Sequence, residues 1–312
     1  MTFAALMVLA ALIDALIGWP DLLFRRIGHP VSWLGRLISA LEVRLNRGDR
    51  ARRLWAGALT VALVLAAATL PALAVQSALP EGWPGLVLGA VCAWPLIALR
   101  AMHAHVAAVL RPLAAGDLAG ARAAVAMIVG RDPAQLDAAG VTRAACESLA
   151  ENSSDGIVAP VFWGALAGLP GIAAYKAINT MDSMIGHRTA RYEAFGKLAA
   201  RLDDLVNLIP ARLTGGLFAL ASGRQGLRAL RVMARDARAH RSPNAGWPEA
   251  ALAGALGVRL SGPRRYGDRL SPEPWLNADA PDPQAPDLAR ALALYRRAMA
   301  LMLLALAAIA LH

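Results

Sequence analysis

The sequence predicts an all-α, polytopic membrane protein with about four spanning helices, plus re-entrant or buried helices that form a central site facing the cytoplasm. Three observations carry this expectation. Hydrophobic residues make up 57% of the 312, with a mean hydropathy of +0.45, above ordinary globular usage. Four stretches meet, or nearly meet, the roughly 20 apolar residues that a helical crossing needs. No segment shows the two-residue alternation of a half-buried strand.

In chain order the candidate spans are Thr2–Trp19, Leu54–Leu79, Trp83–Leu99 and Ala298–Leu311. The second is clear by length, whereas the third and fourth are short and borrow flanking residues. The fourth extends back to Leu288 only by placing Arg290, Arg296 and Arg297 at an interface. The N-terminus enters apolar sequence without a basic lead or a following small-residue cleavage site, so the first segment is expected to stay as an anchor. The chain then reads as one integral membrane domain: N-terminal spans (1–99), a central catalytic region (100–241), a proline-rich loop (242–287) and a C-terminal helix (288–312).

Charge sets the orientation. The net charge is +10, and all 32 lysines and arginines lie between Arg25 and Arg53 or between Arg100 and Arg297. The positive-inside rule places both basic regions in the cytoplasm, and the Pro80–Gly82 turn with both termini outside it. Such an excess of cations suits anionic headgroups or phosphorylated substrates. Nucleic acid is not an expected partner, because the arginines are not interleaved with exposed aromatics and no zinc-finger or helix-turn-helix pattern occurs. Cys92 and Cys146 have neither metal-ligand nor disulfide spacing and read as two buried hydrophobes.

The central region holds two further apolar runs, Ile157–Ile178 and Leu205–Ala221. The first is flanked by the polar strings Glu151–Asp155 and Asn179–Ser183 and broken by Gly168-Leu-Pro-Gly171. A re-entrant hairpin or buried helix pair turning at Pro170 fits this pattern better than a single crossing. The second contains Asn207, Pro210 and Arg212, which suits a protein-buried position. Eight prolines between Pro243 and Pro286 predict loops and a linker.

Polar residues concentrate in the same region. On a helix Arg143, Glu147 and Glu151 fall on one face at i, i+4 and i+8, which two solvated ion pairs would also explain. The string continues through Asn152, Ser153, Ser154 and Asp155, although Asp155 before Gly156 equally suits a helix end. Lys176 near the end of an apolar run either snorkels to an interface or meets a carboxylate or phosphate, and the second reading is favoured. Around it stand Tyr175, Asn179, Thr180, Asp182, Ser183, His187, Arg188 and Arg191, more hydrogen-bonding capacity than packing requires. The adjacent Asp203 and Asp204, with Asn207 close by, suit either a magnesium ion carried with a nucleotide or a plain helix N-terminus. The stretch Arg235–His240 and Ser242–Trp247 reads as a surface loop, His29 has no forced role, and no pair of histidines has zinc spacing.

Several long strings in fixed order carry a family resemblance. Arg143-Ala-Ala-Cys-Glu-Ser-Leu-Ala-Glu-Asn-Ser-Ser-Asp-Gly156, Tyr175-Lys-Ala-Ile-Asn-Thr-Met-Asp-Ser-Met-Ile-Gly186 and Arg201-Leu-Asp-Asp-Leu-Val-Asn-Leu-Ile-Pro-Ala-Arg212 resemble the adenosylcobinamide-phosphate synthases of cobalamin biosynthesis. His29-Pro-Val and Ser242-Pro-Asn-Ala-Gly-Trp-Pro-Glu249 extend the likeness over nearly the whole chain. Trp19 departs from it, standing where the family usually has Asp between Gly18 and Pro20, while Asp14 keeps the family type.

The resemblance implies a multi-pass inner-membrane ligase with its active site facing the cytoplasm. It would join adenosylcobyric acid to an amino-alcohol phosphate, with ATP as co-substrate and Mg2+ as cofactor. The cobalt would belong to the corrinoid substrate and take no protein ligand. Expected roles follow: Lys176 and Arg188 for phosphate charge; Glu151, Asp155, Asp182, Asp203 and Asp204 for magnesium and the base; Asn152, Asn179, Thr180, Ser183 and Asn207 for orientation. No Walker-type loop is present, so any nucleotide site is unlike the P-loop. Other membrane enzymes of late cobalamin assembly are expected partners. Two other classes compete, a membrane transferase acting on a prenyl or lipid diphosphate and a transporter. The first calls for a second acidic motif, the second for inverted repeats.

Overall fold

The computed structural model describes residues 2–130, 132–266 and 269–311, with backbone alone for 264–266 and 269–271. In chain order the first helices are α1 (Phe3–Ile17), α2 (Asp21–Ile27), α3 (Pro30–Leu45), α4 (Arg50–Ala78), α5 (Trp83–Ala93), α6 (Leu99–Ala114) and α7 (Leu118–Val125). After them come α8 (Ala138–Ser153), α9 (Ala159–Ile185), α10 (Lys197–Val206), α11 (Leu208–Ala221), α12 (Gly226–Asp236), α13 (Gly246–Leu256) and α14 (Ala285–Ala310). Between α13 and α14 lie four very short strands, β1 (Leu260–Ser261), β2 (Arg264–Tyr266), β3 (Arg269–Ser271) and β4 (Trp275–Leu276). They pair antiparallel as β1 with β4 and β2 with β3, a feature too short to leave alternation in the sequence.

Among the described residues four stretches are long and apolar enough to cross a membrane: Arg50–Ala78, Trp83–Ala114, Ala138–Ile185 and Ala285–Ala310. With helix dominating and only these strand fragments among the described residues, this is an all-α polytopic membrane protein. The expected first span is not one straight helix: it passes the length and apolarity test only as a bent pair. α1 has 15 residues, short of a crossing on its own, and it meets Asp21–Leu45 at 105°. Gly18 ends it at a φ of +65° that favours glycine, and Pro20 follows. The C-terminal span begins at Ala285 rather than Ala298. Its early start is accommodated by Arg290, which donates to Asp287 and to the Leu256 carbonyl.

The chain forms two compact units and passes between them four times. The first comprises Met1–Ala98, Ala159–Asn207 and Leu306–His312; the second comprises Leu99–Val158 and Leu208–Ala305. In the first unit, Ile38 of α3, Val61 and Val64 of α4, Met181 and Ile185 of α9, and Phe195 form a buried core. α4 starts at Asp49, whose side chain accepts from the Arg52 N–H at 2.8 Å. Its Gly57 lies so close to the Phe195 carbonyl that a Cβ would overlap it.

The run Ile157–Ile178 is broken midway, within the Gly168-Leu-Pro-Gly171 string. Gly168 breaks α9 at φ +66°, ψ −146°. Gly171 then lies against the carbonyl of Trp163, eight residues earlier, where uninterrupted helix would have risen about 12 Å. The Leu169 N–H exposed by the break donates to Gln76 Oε1 of α4 at 2.8 Å. The two arms bring Trp163 and Tyr175 level: Trp163 Nε1 donates to the Val206 carbonyl and the Tyr175 hydroxyl donates to Asn207 Oδ1.

In the second unit the expected proline-rich loop proves partly helical. α13 lies inside it and is buried along its length, because Pro248 falls in the first turn, where a missing N–H costs nothing, and the next proline is Pro263. α11 is apolar but only 14 residues long, and it is buried on one face only: Pro210, Thr214 and Phe218 are covered, whereas Ile209, Leu213 and Leu220 are exposed, so the expected protein-buried position holds for half of the helix.

Candidate active site

In the first unit the second arm of α9 faces the end of α10. Asp203 is 9% exposed and accepts two amide donors, Asn207 Nδ2 at 3.0 Å and Asn179 Nδ2 at 3.4 Å. Asn207 is in turn fixed by the Tyr175 hydroxyl at 2.9 Å. Burial, and then the carboxylate of Asp182, push Asp203 up to about 7, against a smaller opposing effect of the two amides. Asp204 also bears on this set but points elsewhere, since neighbours on a helix diverge by about 100°. It lies 3.8 Å from Arg201 and is partly exposed.

The helix N-terminus reading of this acidic pair is overturned. Asp203 and Asp204 occupy the last turn of α10, where the helix dipole disfavours negative charge and which holds no basic residue of its own. Arg201, one turn back, offsets Asp204 alone, so the buried Asp203 stands against the local field without a basic neighbour in its turn.

Lys176 lies on a different face of α9 from Asp182, six residues on. It lines a cavity of about 480 Å³ whose other walls are apolar, among them Trp33, Leu37, Pro71, Leu96 and Leu169. Its charge also reaches His29, which caps α3 by accepting from the Val31 N–H at 3.2 Å. Trp19 packs edge-on to His29 at 5.0 Å and tilted on Trp94 at 5.6 Å. Thr180 and Ser183 donate to the carbonyls of Lys176 and Asn179 within their own helix. His187 and Arg188 are exposed just beyond α9, with His187 in electrostatic reach of Asp182. Arg191 is held by Glu42 through two bonds of 2.8 Å.

The second unit contains the other polar string. The predicted face of Arg143, Glu147 and Glu151 exists on α8, but its first two members hold the segment after α13. Arg143 donates to Asp282 at 3.0 Å and lies over the Trp275 ring, 4.7 Å from its centroid. Arg259 also bonds Asp282, at 2.6 and 2.9 Å, and stacks on Trp275 at 4.4 Å. The Arg259 fork holds Asp282 below the usual carboxylate range. Glu147 accepts from the Ser261 N–H at 2.8 Å, where Ser261 sits at φ +61°. Glu151 and Asn152 are exposed, with Asn152 donating to the Ser148 carbonyl, and Ser153 donates to Leu149. Ser154 to Val158 form a π-helical turn that contains Asp155, and Ser154 Oγ is buried with no hydrogen-bond partner among the described residues. Single π turns are frequent at functional sites.

Among the described residues no three His, Cys, Asp or Glu side chains are grouped to cage a metal ion. Asp182 and Asp204, which bear on each other electrostatically, are a carboxylate pair of the number that magnesium carried on phosphate takes from a protein. Sequence reasoning missed several polar residues: Glu42 beneath Arg191, Gln76 at the hairpin, and the pair His240 and Glu249. The latter two are buried at 3.8 Å, so His240 does not belong to a surface loop. Cys146 is buried as expected, whereas Cys92 is exposed. Nothing in single-residue hydropathy signals these long-range pairings.

The sequence pattern described as CobD/Cbib protein matches residues 7–295. The cobalamin biosynthesis protein CobD of Rhodobacter capsulatus is 67% identical over 310 residues, covering 99% of this chain and 98% of that protein. Proteins of the same name from Brucella suis and Sinorhizobium fredii are 51% identical over 307 residues and 45% over 302. Each match covers 94% of this chain, with 93% and 92% of the respective relative. No solved structure matches the chain.

Proposed function

Since this chain belongs to the CobD/Cbib family of cobalamin biosynthesis, we propose that it is the ligase that joins adenosylcobyric acid to (R)-1-amino-2-propanol O-2-phosphate, or a related amino-alcohol phosphate. The product is adenosylcobinamide phosphate, and ATP is consumed. Amide formation from a free carboxylate and an amine is uphill in water, so the carboxylate needs activation by phosphoryl transfer. The incoming amine arrives as an ammonium and must lose a proton before it attacks.

The observation that supports this reading most is Asp203. A carboxyl held near 7 is poised to accept that proton at neutral pH. Asn179 and Asn207 orient it, and Tyr175 orients Asn207. Lys176 and Arg188 provide cations for phosphate. Asp182 and Asp204 are the residues that would hold magnesium, which when bound neutralises phosphate charge. Glu151 and Asp155 remain acidic candidates of the second unit. Arg191, Arg143 and Glu147, candidates for binding substrate or nucleotide, are left out of that set, because Glu42, Asp282 and Ser261 already engage them. The site is proposed to face the cytoplasm from the inner membrane, where the nucleotide and both substrates are found, with other membrane enzymes of the route as neighbours.

The test is ATP- and magnesium-dependent product formation by the purified full chain, followed by mass spectrometry. Asp182→Asn, Asp203→Asn and Lys176→Met are each expected to lower the rate by about 100-fold or more, with membrane insertion unchanged. Full activity in all three variants removes the site. Failure of the parent chain to consume the corrinoid acid removes the ligase.

A further inference from the structure

At the junction of α3 and α4 lies a polar depression of about 400 Å³ that the amide-forming chemistry does not use. Arg47, Arg53 and Arg191 line it against one carboxylate, Glu42, a surplus of two positive charges among the lining residues. Most of this lining is fixed. Glu42, 7% exposed in its side chain, takes Arg191 in a two-bond fork. Asn46 donates to Glu42 and accepts from Arg53 Nε, both at 2.8 Å, and Arg53 also donates to the carbonyls of Ala190 and Arg191. Arg47 donates to the Val43 carbonyl of its own helix. The result is a preorganised cationic hollow whose carboxylate is already engaged by Arg191 and Asn46.

Its surroundings identify the ligand class. α4 begins here and runs into a stretch long and apolar enough to cross a membrane. Trp55, just inside that helix, is 78% exposed, and Val43 at the rim of the hollow is 58% exposed. An exposed Trp at the start of a spanning helix marks the headgroup level of a bilayer, and basic hollows at that level bind anionic lipid headgroups. A soluble phosphate compound would have no use for the exposed Val43 at its edge. We propose that this hollow, at the headgroup level that Trp55 marks, binds the phosphodiester headgroup of an anionic phospholipid, with the first part of its acyl chain past Val43.

The purified full chain in detergent is titrated with phosphatidylglycerol, with phosphatidylcholine of the same acyl chains, and with inorganic phosphate alone. Bound lipid is counted by native mass spectrometry, and the thermal midpoint is followed. Phosphatidylglycerol is expected to be retained and to raise the midpoint, whereas the other two are not. Arg47→Gln, which removes a cation without touching the bonds among Glu42, Arg53 and Arg191, should weaken phosphatidylglycerol binding about fivefold. Equal retention of phosphatidylcholine, unchanged binding in Arg47→Gln, or the same stabilisation by phosphate without lipid overturns the proposal.

Discussion

Asp203 is the residue on which pH acts most directly. Its ordinary value is 3.8, and burial with Asp182 nearby raises it to about 7 in the folded chain. A carboxyl raised on folding binds more protons in the folded state than in the unfolded one. Stability from this group therefore falls as pH rises from about 4 to about 7, and then levels. The thermal midpoint should decline across that window, and Asp203→Asn should flatten the decline. A parent midpoint that stays constant from pH 4 to 7 contradicts this assignment. Tyr175→Phe removes the donor to Asn207 Oδ1 in a buried setting, so a loss of about 1–3 kcal/mol in unfolding free energy is expected. The acidic pair and its amides were legible in the sequence. Which aspartate is buried was not, because a rotation of α10 decides it and no local pattern records that rotation.

Among elements, the break in α9 was legible because Gly168 and Pro170 interrupt an apolar run. Its fastening was not, since Gln76 comes from α4, more than ninety residues away in sequence. The α3–α4–α9 packing depends on small residues at close approaches. Gly57→Ala should cost about 1–3 kcal/mol, read as a lower thermal midpoint, because the added methyl meets the Phe195 backbone and not a movable side chain. The stretch 242–287 was read as loop on proline count alone, and the count hid the nearly proline-free run that forms α13, leaving only the segment after it without helix. That segment is tied down through Asp282. Asp282→Asn weakens its bonds to Arg143 and Arg259, so amide hydrogen exchange between 258 and 284 should speed up while exchange in α13 stays slow. Unaltered exchange there would show that the stacking on Trp275 alone suffices.

For the whole molecule, composition and charge were enough to establish a helical membrane protein, because both depend on sums over long windows. Orientation is tested on α4, whose 29 residues extend about 43 Å. In a Cys92→Ala background, Glu81→Cys should react with an impermeant maleimide from outside, and Asp49→Cys only after permeabilisation. Labelling of both from one side would remove α4 as a crossing and the inferred orientation with it.

Neither compact unit is a continuous stretch of chain: the first is assembled from three separate segments and the second from two. The last piece of the first unit starts at Leu306, so during synthesis that unit lacks a component until the whole of the second has been made. Closure of the first unit therefore has to wait until the chain beyond Leu306 has been added. A truncated gene product ending before Leu306 should reach the bilayer and yet be cleared by quality-control proteases.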